Sequence, residues 1–295
     1  MKVACISKNG TNPAYEGARI GVRRVAEALG YEVVSYWPET PDDPEEQSAL
    51  IRKALSEKPD GLLVAPAHPV KTDEALWQFV EAGIPVVSFV SQSAAVAPAC
   101  FVTSDNYALA RAIAEFLFER IGDAGRVAII EGNPDSETSG PRTKGFLDAI
   151  AAAPGIDLVG QAVGYYQREP AERAMADMLI EGTDLDGVLV ANDFMALGVI
   201  DALKAAGRSV PVVSVNAMPQ AITALKSGDL LATSAFDAMK IACAGMQALD
   251  RILKGQDVPR EIVLPVEIVT AETSADWDKG YEERPLPDWK DVAPG

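Results

Sequence analysis

Histidine occurs once in this chain, at His68, and cysteine three times, at Cys5, Cys100 and Cys243. A lone histidine excludes multi-histidine metal centres, and a serine triad would have only this imidazole to use, with no GxSxG elbow beside it. The cysteines are odd in number and lack CxxC or zinc spacing; two sit in apolar runs, as inert core thiols do. Basic residues are also scarce: 26 Lys and Arg stand against 43 Asp and Glu, a net charge of −17. Such a surface argues against nucleic acid and against anionic membranes as partners. No run of about eighteen apolar residues is present, so no segment reads as a membrane-spanning helix. The phosphate-cradling GxGxxG and GxxxxGK[ST] loops are missing too, which removes the commonest enzymatic uses of an α/β chain. No cofactor and no metal is called for, and without a nucleophile-base pair the chain does not read as an enzyme.

What the sequence does contain is a repeated phrase. Asp186-Gly-Val-Leu-Val-Ala-Asn-Asp193 joins a four-residue apolar run to a helix-like segment ending near Ala206. Such runs are strands buried on both faces of a parallel sheet, and Asn192 and Asp193 fall at the carboxyl end, where open α/β sheets bind ligands. The phrase occurs earlier as Asp60-Gly-Leu-Leu-Val-Ala-Pro66. At the same offset Ile84-Pro-Val-Val-Ser-Phe89 recurs as Val210-Pro-Val-Val-Ser-Val215. Val3-Ala-Cys-Ile6 recurs as Val127-Ala-Ile-Ile130, and Gly21-Val22 as Gly145-Phe146, at a slightly shorter offset. A period this long is a whole lobe rather than a solenoid module. The expected fold is therefore α/β, two Rossmann-like lobes with parallel sheets and a ligand cleft between them.

In chain order, the pattern predicts a strand over 2–7, a helix over 16–29 stopped by Gly30, and strands over 32–37, 61–65, 85–90 and 100–103. Ser104 or Asp105 is expected to cap the helix over 106–121. Further strands are predicted over 126–131, 158–163, 232–235, 261–264 and 267–270, with helices over 142–152 and 170–181 and one from Phe236 and Asp237 to about 255. The tail from Ala271, with Trp277, Tyr281 and Trp289, matches nothing in the repeat and is expected to pack its aromatics on a lobe. The first strand begins almost at Met1, so either the chain stays in the cytoplasm or a secretory leader has been removed.

Loops at the carboxyl ends of two opposed sheets would converge on one ligand. The candidates are Lys8, Asn12, Tyr15, His68 and Ser91, with Ser104, Arg142, Tyr165, Tyr166, Asn192, Asn216, Phe236 and Asp237. Planar amides, one guanidinium fork and aromatic faces form an inventory for hydroxyl groups on a small ring or chain.

The ordered motifs Asn12-Pro-x-Tyr15, Asp60-Gly-Leu-Leu-Val, Ile84-Pro-Val-Val, Thr103-Ser-Asp-Asn106, Arg142-x-x-Gly-Phe146, Asn192-Asp-x-Met-Ala-Leu-Gly198 and Leu231-Ala-Thr233 resemble the ribose-type periplasmic sugar-binding proteins of ABC importers. The resemblance implies a hinge of three crossovers, with one lobe of residues 1–103 plus 237–265 and another of 104–236 plus 266–295. It also implies closure on ligand, a periplasmic monomer and delivery to the membrane subunits of an ABC permease. By resemblance Asn12, Tyr15, Ser104, Arg142 and Asn192 are ligand contacts, and Asp193 caps the helix that follows. Lys8 has a counterpart only in relatives with other ligands. Val90-Ser91, Asn216 and Phe236 stand where ribose-type proteins place Asp-Arg, Asp and Gln. The expected ligand is therefore a pentose, a branched sugar or a linear polyol. A sugar acid ranks lower because Asp105, Asp193 and Asp237 are near. The effector domain of a LacI-type transcription regulator is the alternative from another class, but such regulators carry a helix-turn-helix that these residues do not show.

Overall fold

Short apolar runs build the strands of this protein. Gly61–Val64 and Gly187–Val190 are buried at every position, as strands covered by helices on both faces must be. A computed structural model describes residues 1–293 and divides the chain into two α/β units. Pro294 and Gly295, which the sequence reading assigns to the tail, lie outside the described residues.

The first unit opens with β1 (Lys2–Ile6), α1 (Pro13–Leu29), β2 (Glu32–Tyr36), α2 (Pro44–Ser56), β3 (Gly61–Val64), α3 (Asp73–Glu81), β4 (Val86–Phe89) and β5 (Cys100–Ser104). The second follows with α4 (Asn106–Arg120), β6 (Gly125–Glu131), α5 (Ser139–Ala152), β7 (Ile156–Val163), α6 (Arg168–Ile180), β8 (Gly187–Val190), α7 (Asp193–Ala205), β9 (Val212–Val215), α8 (Pro219–Ser227) and β10 (Ala232–Ser234). Then α9 (Ala238–Leu253) and β11 (Glu261–Leu264) rejoin the first unit, and β12 (Ile268–Val269) with a 3-10 turn at Ser274–Trp277 rejoins the second.

The first sheet runs β11-β5-β4-β3-β1-β2 and is parallel throughout. The second runs β12-β10-β9-β8-β6-β7, parallel except for β12 against β10. Strand for strand the two orders correspond, as the repeated phrases require. The repeat extends to single atoms. Asp60 Oδ2 accepts the Lys2 N–H at 2.7 Å, and Asp186 Oδ2 accepts the Arg126 N–H at 2.8 Å, so each carboxylate joins the start of one strand to the start of its neighbour. Gly21 and Gly145 also share a role. A Cβ on Gly21 would stand 2.8 Å from Cys243 Sγ on α9, and one on Gly145 would stand 2.5 Å from the Tyr107 carbonyl on α4. Each helix crossing is closer than any side chain permits.

Helices begin earlier than apolar periodicity suggests. Asn12 accepts the Ala14 N–H and Pro13 fills the first turn, so α1 starts at Pro13 rather than at 16. Asp105, not Ser104, caps α4, by accepting from Tyr107 and Ala108. Residues 281–293, including α10 (Trp289–Val292), pack on the first unit, whereas the sequence reading keeps all of 266–295 with the second. The reason is polar as well as apolar. Arg24 on α1 donates to the carbonyls of Tyr281 at 2.8 Å and Arg284 at 2.7 Å, Gln247 on α9 donates to the Pro287 carbonyl at 2.8 Å, and Arg251 lies over the Trp289 ring.

Candidate functional site

Polar side chains gather beyond the carboxyl ends of the strands in each unit, where this architecture exposes its loops to ligands. In the first unit β1 runs out into Ser7, Lys8 and Asn9, all nearly enclosed. Gln47, fully buried on α2, ties the ends of β1 and β3 together. Its Nε2 donates to the carbonyls of Ser7 at 3.1 Å and Ala65 at 2.9 Å, and its Oε1 accepts from Ala67 at 2.7 Å. Arg19 donates to Ser7 Oγ at 2.9 Å and to the Asn9 carbonyl at 3.0 Å, with its guanidinium 4.5 Å from the centroid of Trp37. Asn12 spends its Oδ1 on the α1 cap, and buried Tyr15 follows in the first turn.

The other candidates of this unit are anchored to the same edge. His68 Nδ1 accepts the N–H groups of Val70 at 3.0 Å and Lys71 at 3.2 Å, which assigns the proton of the neutral ring to Nε2. Ser91 Oγ donates to the Pro66 carbonyl and Ser104 Oγ to the Leu264 carbonyl, each at 3.0 Å.

The second unit is built around Arg142, which is 3% exposed. Its Nε donates to Asn106 Oδ1 at 2.8 Å and its Nη1 to the Ala191 carbonyl at 2.6 Å. The guanidinium carbon lies 4.8 Å from the Phe236 ring centroid and 5.7 Å from that of Tyr166. Two aromatic faces and two acceptors thus set the plane of the fork. Tyr166 is fixed in turn, its hydroxyl 2.9 Å from Thr138 Oγ1 and its ring so close to Gly132 that a Cβ there would stand 2.2 Å away. Tyr165 differs from its neighbour, being 53% exposed.

Asn192 takes the capping role that the sequence reading gives to Asp193. Asn192 caps α7, its Oδ1 accepting the Met195 N–H at 2.9 Å, and its Nδ2 remains as a donor. Asp193 is already inside the helix and fully enclosed, so its carboxylate reaches across the sheet. It accepts from Ser214 Oγ, from Thr233 Oγ1 at 2.7 Å and from the Met218 N–H at 2.9 Å. Burial pushes this carboxyl up to about 6, against the pull of those donors and of Arg142. Thr233 Oγ1 also accepts the Ala217 N–H at 3.2 Å.

The turn thus gripped is strained: Asn216 has φ 136° and Ala217 φ 57°. Non-glycine residues held in such regions cost roughly 1–3 kcal/mol each. Val90, the position in the first unit that the repeat pairs with Asn216, also has positive φ, at 68°. Asn216 is 7% exposed and its Oδ1 has no partner among the described residues. Ser234 Oγ on adjoining β10 is in the same state. Asp237 does not extend this set of acceptors. It caps α9 by accepting the Lys240 N–H at 3.0 Å, and burial raises its carboxyl against the charges of Arg284 and Lys240.

Sequence reasoning missed Gln47 and Arg19, which hold the segment beyond β1, Trp37 beneath the Arg19 guanidinium, and Asn106, which accepts from Arg142. Asn106 alone left a signal, as the last residue of a motif. No cluster of three or more metal-ligating side chains occurs among the described residues. Amides, hydroxyls, one guanidinium and aromatic faces can take up hydroxyl groups and apolar C–H surface by hydrogen bonding and stacking.

Residues 3–257 match the family model described as a periplasmic binding protein domain. A D-ribose/D-allose-binding protein of Pseudomonas aeruginosa is 33% identical over 82% of this chain and 79% of its own length. A xylitol-binding protein of Mycolicibacterium smegmatis is 26% identical over 89% of this chain and 74% of its own. Among solved structures, an ABC transporter periplasmic solute-binding protein from Actinobacillus succinogenes with bound D-allose superposes with a TM-score of 0.88, covering 93% of this chain and 99% of that one at 26% identity. A solute-binding protein from Bacillus halodurans with bound myo-inositol gives 0.86, covering 94% and 97%, also at 26% identity.

Proposed function

We propose, because this chain belongs to the periplasmic binding protein family, that it is the solute-binding component of a carbohydrate ABC importer. Its ligand is a small monosaccharide, such as a pentose or a branched sugar, or a polyol. It works in the periplasm and hands the ligand, unmodified, to the membrane subunits of the permease. The observation that carries this reading is Arg142, with its hydrogen-bonding fork set against the rings of Tyr166 and Phe236. A guanidinium fixed in that way meets adjacent hydroxyls, and the rings cover the C–H faces between them.

Asn192 Nδ2 and the Asn216 amide extend the set in the second unit. Lys8, Asn12, Tyr15, His68 and Ser91 offer groups at the edge of the first sheet. Micromolar affinity corresponds to about 8 kcal/mol, and a net hydrogen bond contributes roughly 0.5–1.5 kcal/mol, so several must act together with ring burial. Relatives named for ribose, allose and xylitol, and neighbours holding allose and myo-inositol, support a hydroxyl-rich ligand without a required charge. They favour a transport role over the effector domain of a transcription regulator. Binding without turnover agrees with site residues that bind and stack but include no nucleophile-base pair.

The test is titration calorimetry of the purified protein with D-ribose, D-allose, xylitol and myo-inositol, with mass spectrometry of the ligand after long incubation. Tight binding of at least one, recovered unchanged, is expected. Absence of binding to all four, or a changed product mass, would overturn the reading.

A further inference from the structure

We propose that Asp193 is a positioning residue for ligand recognition: directly and through Thr233, it holds the turn at residues 216–218 that presents the Asn216 amide. The inference rests on the reading of Asn216 as a ligand contact. Asp193 is fully enclosed, so it acts through the turn rather than by touching the ligand.

Three successive N–H groups of this turn are each accounted for. Asn216 donates to the Ser234 carbonyl at 2.9 Å, Ala217 to Thr233 Oγ1 at 3.2 Å and Met218 to Asp193 Oδ2 at 2.9 Å. Thr233 can accept from Ala217 in that direction because its own proton goes to Asp193 Oδ1. Loss of the carboxylate therefore removes the acceptor of the Met218 tie and frees the Thr233 hydroxyl to turn, which loosens the Ala217 tie. Asn216 and Ala217, at φ 136° and 57°, then have reason to relax toward negative φ, which swings the Asn216 side chain away from where it stands. The atom at stake is Asn216 Oδ1, a buried acceptor with no protein partner among the described residues, to which a ligand hydroxyl would donate.

The duplicated unit supplies a contrast. Where the repeat places Asp193, the first unit has Ala67, and where it places Asn216 it has Val90, which carries no polar side chain to present. The carboxylate accompanies the amide.

The experiment compares the unsubstituted protein with Asp193→Asn, Asn216→Ala and the double variant. Two quantities are read: amide hydrogen exchange at Ala217 and Met218 in the ligand-free state, and dissociation constants for the four sugars and polyols named above. Asp193→Asn should speed exchange at Met218 and weaken binding, each by about ten-fold, and should add nothing once Asn216 is alanine. An equal loss of affinity in the Asn216→Ala background, or unchanged exchange at Met218, would overturn the inference. Should Asp193→Asn not fold, Thr233→Val carries the same two readouts, with exchange read at Ala217. Failure of all four ligands to bind the unsubstituted protein would overturn the solute-binding reading instead, and the exchange rates would then decide separately whether Asp193 sets the turn.

Discussion

Replacing Arg142 by alanine removes the group on which the proposed site depends most. A hydrogen bond from a charged donor contributes roughly 1.5–3 kcal/mol, so loss of one such bond to the ligand predicts affinity weaker by about ten-fold to more than a hundred-fold. The same change strips a donor from Asn106 Oδ1 and one from the buried Ala191 carbonyl, the latter at about 1–3 kcal/mol. Stability must therefore be measured beside affinity, by urea unfolding. Arg142→Lys separates the two effects. It keeps the charge but lacks the planar fork that serves both acceptors beside the rings of Tyr166 and Phe236, so binding should fall nearly as far as in the alanine variant. Calorimetry against whichever sugar binds the unsubstituted protein provides the readout. A folded Arg142→Ala variant with an unchanged dissociation constant would refute the assignment.

Gly132→Ala would drive a methyl into the Tyr166 ring, so it should cost about 1–3 kcal/mol of stability and weaken binding although no polar group is removed; an unaltered calorimetric titration would count against Tyr166 as a wall of the site. Burial pushes the Cys5 thiol up to about 12 and the Cys100 thiol up to about 11, and raises Cys243 as well, so none should react with a thiol reagent at pH 8 until the chain is unfolded. Labelling of the native protein, followed by absorbance, would contradict that placement. Asp193 titrates at about 6 in the folded chain against an ordinary value of 3.8, so the folded state takes up its proton first as pH falls. This group therefore adds stability as pH drops from 7 toward 4 and removes it as pH rises through 6, by about 3 kcal/mol at most. Unfolding curves of the unsubstituted protein and Asp193→Asn should accordingly diverge with pH, and parallel curves would refute the shift.

Much of the fold could be read in the chain because the signals are local. Four apolar residues between turn residues mark a buried strand wherever they occur, and the second occurrence of Asp-Gly before such a run disclosed the duplication. The carboxylates Asp60 and Asp186 proved to do the same job because the same neighbours surround them. Asn12 and Asn192 stood out as well, though each spends its Oδ1 on a helix cap. Asp193 reads as a cap in the sequence but Asn192 is the cap, since only one of two adjacent polar residues can occupy that position and local pattern does not say which. The segment from Tyr281 gave no periodic signal; contacts from distant residues fix it to the first unit, among them Arg24 and Gln247 on its carbonyls and Arg251 over the Trp289 ring.

The succession of strands and helices along the chain, the doubling of the unit and the kinds of side chain at the strand ends were determined by sequence alone, since they follow from periodicity and from residue type. Tertiary structure decided which atom each of those side chains engages. A hydrogen bond forms only between groups brought within about 3 Å, and here the partners come from distant parts of the chain: Gln47 with Ser7 and Ala65, Arg142 with Ala191, Asp193 with Met218 and Thr233.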